Sequence, residues 1–399
     1  MHSSLVRKEP VGFLRSSVRG VNGSAALELL TTLISIPSES GHEAAILEFL
    51  EKPLSLNGVQ IRHQRVGTQR HNLVATFGHG TDYHVLFNTH VDTVPSYGRA
   101  VAEAKVTQRR IWGRGACDAK GSLSAMCTAF LHLVRMRSIR NGKVTLALTV
   151  GEEFAGDGIA RFVRAGKPYD CVIVGEPTDL TIAHSQAGYV EVNLAVTSDR
   201  SHAFAPRSSQ PIMVAAECLT ALNTAVTDIT AGVGRLFVRR VEGGSHDNFW
   251  YIRPGCEIRA LANAPSNKQI DRLRAELSRV ISGTLPSFKG VRIVFRIVEW
   301  DYGIDAASAT RAAQMLAAGL ELAGVAPTFT HLPSWTDGST LAQAGHSVVT
   351  FGPGRLNDAH SSNESVRTGH VVAAAKALVG TVLMMEARHR YALRRQARE

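Results

Sequence analysis

An imidazole and a carboxylate stand two residues apart in this sequence, where they could bind a cation and activate water. His90 and Asp92 follow the apolar run 85–87, which predicts a buried strand. A spacing of two places both side chains on the same side of an extended backbone. Because a metal-binding histidine usually donates its second ring N–H to a carboxylate, His90 fits a ligand and Asp92 its partner. Two ordinary polar residues in a loop after a strand would give the same pattern.

Similar side chains recur where other predicted strands end and in glycine-rich loops. They are Glu152 and Glu153 after the run 144–150, Glu176 after 171–174, Asp118 before a predicted helix, and His360 near the glycines at 352 and 354. Two adjacent carboxylates repel each other if both are buried, unless a cation stabilises them; the alternative is that they face solvent. Asp118 could equally serve as a helix N-cap.

Apolar strands that alternate with predicted helices indicate an α/β fold with a mostly parallel sheet, whose ligand sites lie beyond the carboxyl ends of the strands. The segment 187–298 changes to strand-helix-strand-strand-helix-strand, a ferredoxin-like α+β unit. We therefore expect a catalytic domain over 23–186 plus 299–399, with the ferredoxin-like domain inserted. Residues 1–22 are expected to form a loose basic extension.

These residues together could form a site for two metal ions. His90, Glu153, Glu176 and His360 would be the outer ligands, and Asp118 would bridge the ions. One histidine plus carboxylates for each ion suits Zn²⁺, with Co²⁺ or Mn²⁺ as alternatives. Paired ions about 3.5–4 Å apart activate water and stabilise a hydrolytic transition state. Glu152, adjacent to a ligand but free, would be the general base.

Composition indicates a soluble globular protein. The chain has 399 residues, of which 44% are hydrophobic and 20% charged, and no apolar run is long enough to cross a membrane. The net charge of +10 lies mostly in the tails, because residues 1–22 and 386–399 each carry +3, which weakens a nucleic-acid interpretation. An odd number of isolated cysteines, five in all, favours a reducing cytosol and argues against a thiolate zinc site.

Several known motifs are absent from the sequence. The segment at 42–46 fails the His-Glu-x-x-His pattern because residue 46 is Ile, and the glycines at 113 and 115 fail the dinucleotide fingerprint because residue 118 is Asp. A serine hydrolase is disfavoured because no Gly-x-Ser-x-Gly occurs.

The sequence resembles the M20 metallopeptidase family over about residues 24–380. The resemblance rests on seven blocks in family order: HVDTVP at 90–95, GRGACDAKG at 113–121, GEE at 151–153, GEPTD at 175–179, SHAFAP at 201–206, WTDGSTLAQAG at 335–345, and FGPG, DAH and NE within 351–364. It implies a zinc-dependent catalytic domain with a lid and dimerisation domain, and hence a homodimer.

The resemblance also implies a role for each matching residue. His90 and Glu176 would hold one ion, and Glu153 and His360 the other, with Asp118 between them. Glu152 would deprotonate a water that bridges the ions, and the Asp118–Ala119 peptide bond would be cis. The remaining family positions are His202, which would reach across the dimer to stabilise the oxyanion, and Asn248 and Asp337, which would contact substrate.

Departures from the family pattern lie at positions that select the substrate. Asn263 replaces an arginine that often ends the strand after the lid segment, and Ser339 stands where an arginine is common. We expect an acetylornithine deacetylase-like enzyme acting on an N-acyl amino acid in the cytoplasm. A succinyl-diaminopimelate desuccinylase, a small dipeptidase or carboxypeptidase, and a catalytically silent binding protein remain the alternatives.

Overall fold

The structure, a computed structural model, describes residues 11–96, 103–166, 169–200, 202, 204–244, 250–251, 253–284, 288 and 290–396. The chain divides into two compact units. The first comprises the described parts of Met1–Ser185, Ala306–Thr330 and Thr336–Glu399. The second comprises the described parts of Gln186–Asp305 together with His331–Trp335.

Helices and strands alternate along much of the chain. The helices are α1 Val11–Arg19, α2 Gly23–Ser35, α3 Ala44–Leu54, α4 Lys120–Met136, α5 Asp157–Val163, α6 Pro211–Ile229, α7 Asn267–Thr284, α8 Thr310–Leu322, α9 Asp337–Gln343 and α10 Thr368–Gln396. The strands are β1 Val59–Arg65, β2 His71–Phe77, β3 Tyr83–His90, β4 Lys105–Val106, β5 Arg110–Trp112, β6 Gly142–Thr149, β7 Cys171–Val174, β8 Ile182–Gln186, β9 Gly188–Ser198, β10 Leu236–Gly243, β11 Gly255–Ala264, β12 Val291–Asp301, β13 Phe329–Leu332, β14 Val348–Thr350 and β15 Ser365–Arg367.

An eight-stranded sheet forms the centre of the first unit, in the order β1-β2-β6-β3-β7-β14-β8-β13. Its four middle strands, β6, β3, β7 and β14, are parallel. The residues of β3, β6 and β7 are almost all buried, as expected for parallel strands that are covered on both faces. This arrangement confirms the predicted α/β fold with a mostly parallel sheet, and it aligns the carboxyl ends of β3, β6 and β7.

The second unit is a ferredoxin-like α+β unit, as predicted. Its four antiparallel strands have the order β10-β11-β9-β12, and α6 and α7 pack on one face of the sheet. Alternate residues of β9, such as Val192 and Leu194, join the core beneath the helices, which explains the period of two in the sequence. Strand β12 extends to Asp301, so the unit ends later than the predicted boundary at 298.

The described part of the N-terminal extension, residues 11–22, is less loose than predicted. Helix α1 occupies Val11–Arg19 and contacts α10, and its Leu14 and Val18 are buried. The four-residue spacing of these two apolar side chains places them on one helix face, and this feature was obscured by the basic residues around them.

Two helices within the described residues are long and apolar enough to cross a membrane, Pro211–Ile229 and Thr368–His389. The second helix is 67% buried over its apolar window, and the first covers the sheet of the second unit. Core helices of globular proteins have the same length and composition, so these helices are weak evidence for a membrane location.

Candidate metal centre

The carboxyl ends of three parallel strands bring the first candidate ligands to one edge of the large sheet. Strand β3 ends at His90, which lies beside Thr149 at the end of β6. Glu152 and Glu153 follow β6 in the next turn, and Glu176 follows β7. Because adjacent parallel strands end together, residues far apart in the sequence lie at the same edge.

Asp118 reaches this edge from the tight loop before α4. The Asp118–Ala119 peptide bond is cis, which confirms the prediction. Gly115 in the same loop has φ +81°, and a Cβ there would lie 2.8 Å from the Lys120 side chain and 2.9 Å from Thr93. The turn therefore requires glycine, both for its backbone angle and for the space.

The side chains of the predicted ligands converge into two groups that share Asp118. His90 Nε2 lies 3.2 Å from Asp118 Oδ1 and 3.7 Å from Glu176 Oε1. His360 Nε2 lies 3.2 Å from Asp118 Oδ2 and 3.0 Å from Glu153 Oε1. In each group of three residues, one potential ligand atom per residue lies within 4.8 Å of the others.

Asp92 contacts both His90 and the turn that carries Glu152 and Glu153, hereafter the glutamate turn. Its carboxylate accepts hydrogen bonds from the main-chain N–H of Glu152 and of Glu153, both at 3.1 Å, and from Ser40 Oγ at 2.7 Å. His90 Nδ1 lies 3.0 Å from the main-chain oxygen of Asp92 and 3.5 Å from its carboxylate. The nearest partner of the ring is thus the Asp92 carbonyl, whereas the sequence predicted the carboxylate.

The buried charges at this edge shift one another's pKa values. Burial raises the pKa of Glu152 and of Glu176 well above the usual value, although His90 opposes this shift. Burial alone would raise the pKa of Asp118, but hydrogen bonds from His360 and His90 hold it well below its usual range. Hydrogen bonding to Asp118 raises the pKa of His360 to about 10. A cation at this edge would relieve the repulsion among the carboxylates.

The donor atoms fit divalent metal ions. Carboxylate oxygens and imidazole nitrogens are ligands of Zn²⁺, Co²⁺ and Mn²⁺. Glu176 Oε1 is buried without a hydrogen-bond partner among the described residues. Buried polar atoms nearly always have a partner, so this oxygen is the kind of atom that a cation would satisfy.

Glu364 contributes to the site, although the sequence assigned it no role. Its carboxylate, 3% exposed, accepts hydrogen bonds from the main-chain N–H of Gly115, Cys117 and Asp118 and from the Arg114 guanidinium. It thereby supports the loop that carries one of the candidate ligands. Its place within the last motif block, NE at 363–364, was the only signal in the sequence.

Residues 86–384 match the profile of a protein family described as Peptidase family M20/M25/M40. The chain belongs to this family. Membership confirms the predicted resemblance and the predicted metal-dependent hydrolase of amide bonds.

Relatives of this M20 hydrolase include a candidate LysW-lysine/LysW-ornithine hydrolase from Aeropyrum pernix, 30% identical over 90% of this chain and 95% of the relative. The N-acetyl-L-citrulline deacetylase of Xanthomonas campestris is 28% identical over 86% of this chain and 93% of the relative. A tripeptidase structure from Staphylococcus aureus has a TM-score of 0.78 with 18% identity and covers 92% of this chain and 99% of the tripeptidase, so the fold is shared.

Asp337 of this M20 hydrolase contacts the last residue of β6. Its side chain is 1% exposed and accepts a hydrogen bond from Thr149 Oγ1 at 2.8 Å. Burial raises the pKa of Asp337 to about 7. The described contacts support the strand that precedes the glutamate turn, and a contact with substrate stays a prediction.

The second unit carries the other predicted site residues. His202 is exposed, and its Nδ1 accepts a hydrogen bond of 3.2 Å from the main-chain N–H of Phe204. An isolated bridge pairs His202 with Tyr251. Asn248 lies outside the described residues, so its predicted contact with substrate stays a prediction.

Asn263, which replaces a common family arginine, has structural partners within the second unit. Its side chain is mostly buried, donates to the main-chain oxygen of Pro333 at 2.8 Å and accepts from the main-chain N–H of Arg235 at 2.7 Å. These bonds join β11 to two loops, so both ends of the amide group are used in holding the unit together.

Proposed function

We propose that this M20 protein is a dinuclear metal amidohydrolase that removes the acyl group from an N-acyl amino acid, in the manner of acetylornithine deacetylase. One observation carries the proposal: two groups of potential ligands share a single carboxylate, Asp118, which has one oxygen 3.2 Å from each of the two histidines. A shared carboxylate flanked by two such groups is the arrangement expected for two closely spaced ions.

The ligand assignment follows from these groups. In the proposal, His90 and Glu176 hold one ion, Glu153 and His360 hold the other, and Asp118 bridges them. The single histidine and the carboxylates for each ion favour Zn²⁺, with Co²⁺ or Mn²⁺ as substitutes. Bound ions would supply the positive charge that lowers the pKa of water and polarises the scissile carbonyl.

Glu152 is the proposed general base. It lies outside the two groups that share Asp118, although its carboxylate forms a third group of potential ligands with His90 and Glu153. As a carboxylate beside the ions, it would take a proton from the attacking water and return that proton to the leaving amine. Asp92 fixes the main chain of the glutamate turn and therefore the position of this carboxylate.

The second unit is proposed to act as lid and dimerisation domain. His202 would stabilise the oxyanion of a partner subunit's substrate, and Asn248 and Asp337 would contact the substrate itself. The exposure of His202 is compatible with such a contact, because an imidazole must be accessible to reach a separate chain.

The names of the two sequence relatives support an amino-acid derivative as the substrate. One is named as a deacetylase of N-acetyl-L-citrulline and the other as a candidate hydrolase of LysW-lysine and LysW-ornithine. Succinyl-diaminopimelate desuccinylase and a small dipeptidase are the second candidates, since the same metal chemistry serves both. The cytoplasm is the proposed location, because all five cysteines are buried free thiols.

A pair of adjacent variants tests the proposal. The protein is screened with N-acetyl and N-succinyl amino acids and dipeptides, with metal content measured on the same samples. Glu152→Gln should retain the metal and lose catalysis by about 10²-fold or more. Glu153→Gln, its neighbour, should lose metal as well as activity. Wild-type turnover in Glu152→Gln would overturn the assignment of the base.

A further inference from the structure

Glu364 accepts four hydrogen bonds, all from the loop that carries Asp118. Oε1 accepts from the main-chain N–H of Cys117 at 3.0 Å and of Asp118 at 3.1 Å. Oε2 accepts from the main-chain N–H of Gly115 at 3.0 Å and from Arg114 Nη1 at 2.7 Å. The carboxylate therefore acts as an anchor for an entire tight turn.

The loop that Glu364 anchors carries Asp118, whose side chain must be oriented toward two partners. Asp118 directs one oxygen toward His90 and the other toward His360 at the same time, each at 3.2 Å. A rotation of the loop would break at least one of these contacts. The bond from Glu364 to the main-chain N–H of Asp118 fixes the backbone from which that side chain extends.

Glu364 also links two ligands through the chain itself. It lies four residues after His360, and its main-chain oxygen accepts from the N–H of Gly113 at 3.1 Å. The segment that carries His360 is thus bonded, by side chain and by main chain, to the loop that carries Asp118.

We propose that Glu364 is a positioning residue for the metal centre, which sets Asp118 and His360 in register so that both ions are bound. The inference rests on the proposed dinuclear function. Residues that orient metal ligands typically change metal affinity by about 10–100-fold when they are replaced. A glutamine would keep the size of the side chain, but its NH₂ group would face the two donors of one oxygen position, at least one of them a main-chain N–H, and leave both without an acceptor.

A second buried glutamate provides a matched control. Glu386 is also 3% exposed and also accepts from main-chain and side-chain donors, among them Tyr83 Oη at 2.7 Å and Asn141 N at 3.2 Å. Tyr83 begins β3, whereas His90 ends it, so this carboxylate lies at the other end of the strand. Glu386→Gln should therefore lower stability without affecting the metal centre.

The experiment is a Co²⁺ titration of the metal-stripped full-length protein, followed by calorimetry and by the visible absorption of bound Co²⁺. Urea unfolding of the same samples gives stability. Glu364→Gln should bind Co²⁺ about 10–100-fold more weakly than wild type, with altered visible bands, whereas Glu386→Gln should bind as wild type does. Folded Glu364→Gln with wild-type affinity and spectrum would overturn the inference.

A milder variant covers the case in which Glu364→Gln does not fold. Arg114→Met removes only the guanidinium partner of Glu364 and leaves its three main-chain bonds in place. It should weaken Co²⁺ binding by a smaller factor, and unchanged binding would overturn the inference. If wild-type protein binds no Co²⁺ in stoichiometric amount, the proposed function fails. If wild-type protein binds Co²⁺ and the variants bind it equally well, only the inference about Glu364 fails.

Discussion

Replacing Asp92 with asparagine should lower both the stability of the fold and the metal affinity of the centre. Asp92 is fully buried, and its two carboxylate oxygens accept from Glu152 N, Glu153 N and Ser40 Oγ. Asparagine offers only one oxygen. If its NH₂ group takes the position of Oδ2, Ser40 can turn to accept from it, but the N–H of Glu153 then has no acceptor.

The magnitude follows from this count of bonds. A buried donor without a partner costs about 1–3 kcal/mol, and the loss of charge weakens the remaining bonds by roughly another 1 kcal/mol. We expect Asp92→Asn to lower the free energy of unfolding by about 2–4 kcal/mol. Because the orphaned N–H belongs to the candidate ligand Glu153, we also expect metal affinity to fall by about 10–100-fold.

The assay combines urea unfolding of metal-free protein with calorimetric titration of Zn²⁺. Ser40→Ala serves as the control, since it removes one donor and keeps the carboxylate, and it should cost only about 0.5–1.5 kcal/mol. Asp92→Asn with wild-type stability and unchanged affinity at both ion sites would refute the assigned role of Asp92.

Three further predictions follow from charge and burial. The candidate carboxyl groups with raised pKa values stabilise the metal-free fold at low pH, and this contribution is lost as the pH rises. The difference in melting temperature between Zn²⁺-loaded and EDTA-treated protein should therefore widen from mildly acidic to mildly alkaline pH. A constant difference would contradict this prediction. Burial raises the pKa of Cys127 and Cys171 to about 12. A thiol reagent near pH 8 should therefore label neither of them in native protein, but should label all five cysteines in guanidinium. Rapid labelling of these two in native protein would be inconsistent with the fold. Arg70→Met leaves the buried Glu43 carboxylate without its cation and should lower the free energy of unfolding in urea by about 3–5 kcal/mol. Arg272→Met, at an exposed pair, should lower it by less than about 1 kcal/mol. Equal losses would argue against a supporting role for the buried pair.

The position of the centre could be predicted because its ligands follow local patterns. His90 and Glu176 each come directly after or close behind a short apolar run, and such runs form parallel strands whose carboxyl ends coincide. Adjacent acidic residues at 152 and 153 pointed to a cation for the same reason, since their charges would otherwise repel.

The supporting contacts could not be predicted, because they depend on tertiary structure. Glu364 reaches N–H groups 246–249 residues away, and no local period signals such a bond. His90 Nδ1 lies 3.0 Å from the Asp92 carbonyl and 3.5 Å from its carboxylate, and the sequence spacing alone does not distinguish these two partners. The order of α1 was hidden for a different reason, because its buried Leu14 and Val18 alternate with basic residues, Arg15 and Arg19.

The most direct test of the central claim is metal content per chain, measured by mass spectrometry on purified, dialysed protein alongside the hydrolysis of N-acyl amino acids by the same sample. Two zinc-like ions per wild-type chain, with fewer in His360→Ala and activity that EDTA abolishes, is the predicted result. Wild-type protein that binds no ion in stoichiometric amount, or that hydrolyses its substrate equally well without metal, would contradict a dinuclear centre bridged by Asp118.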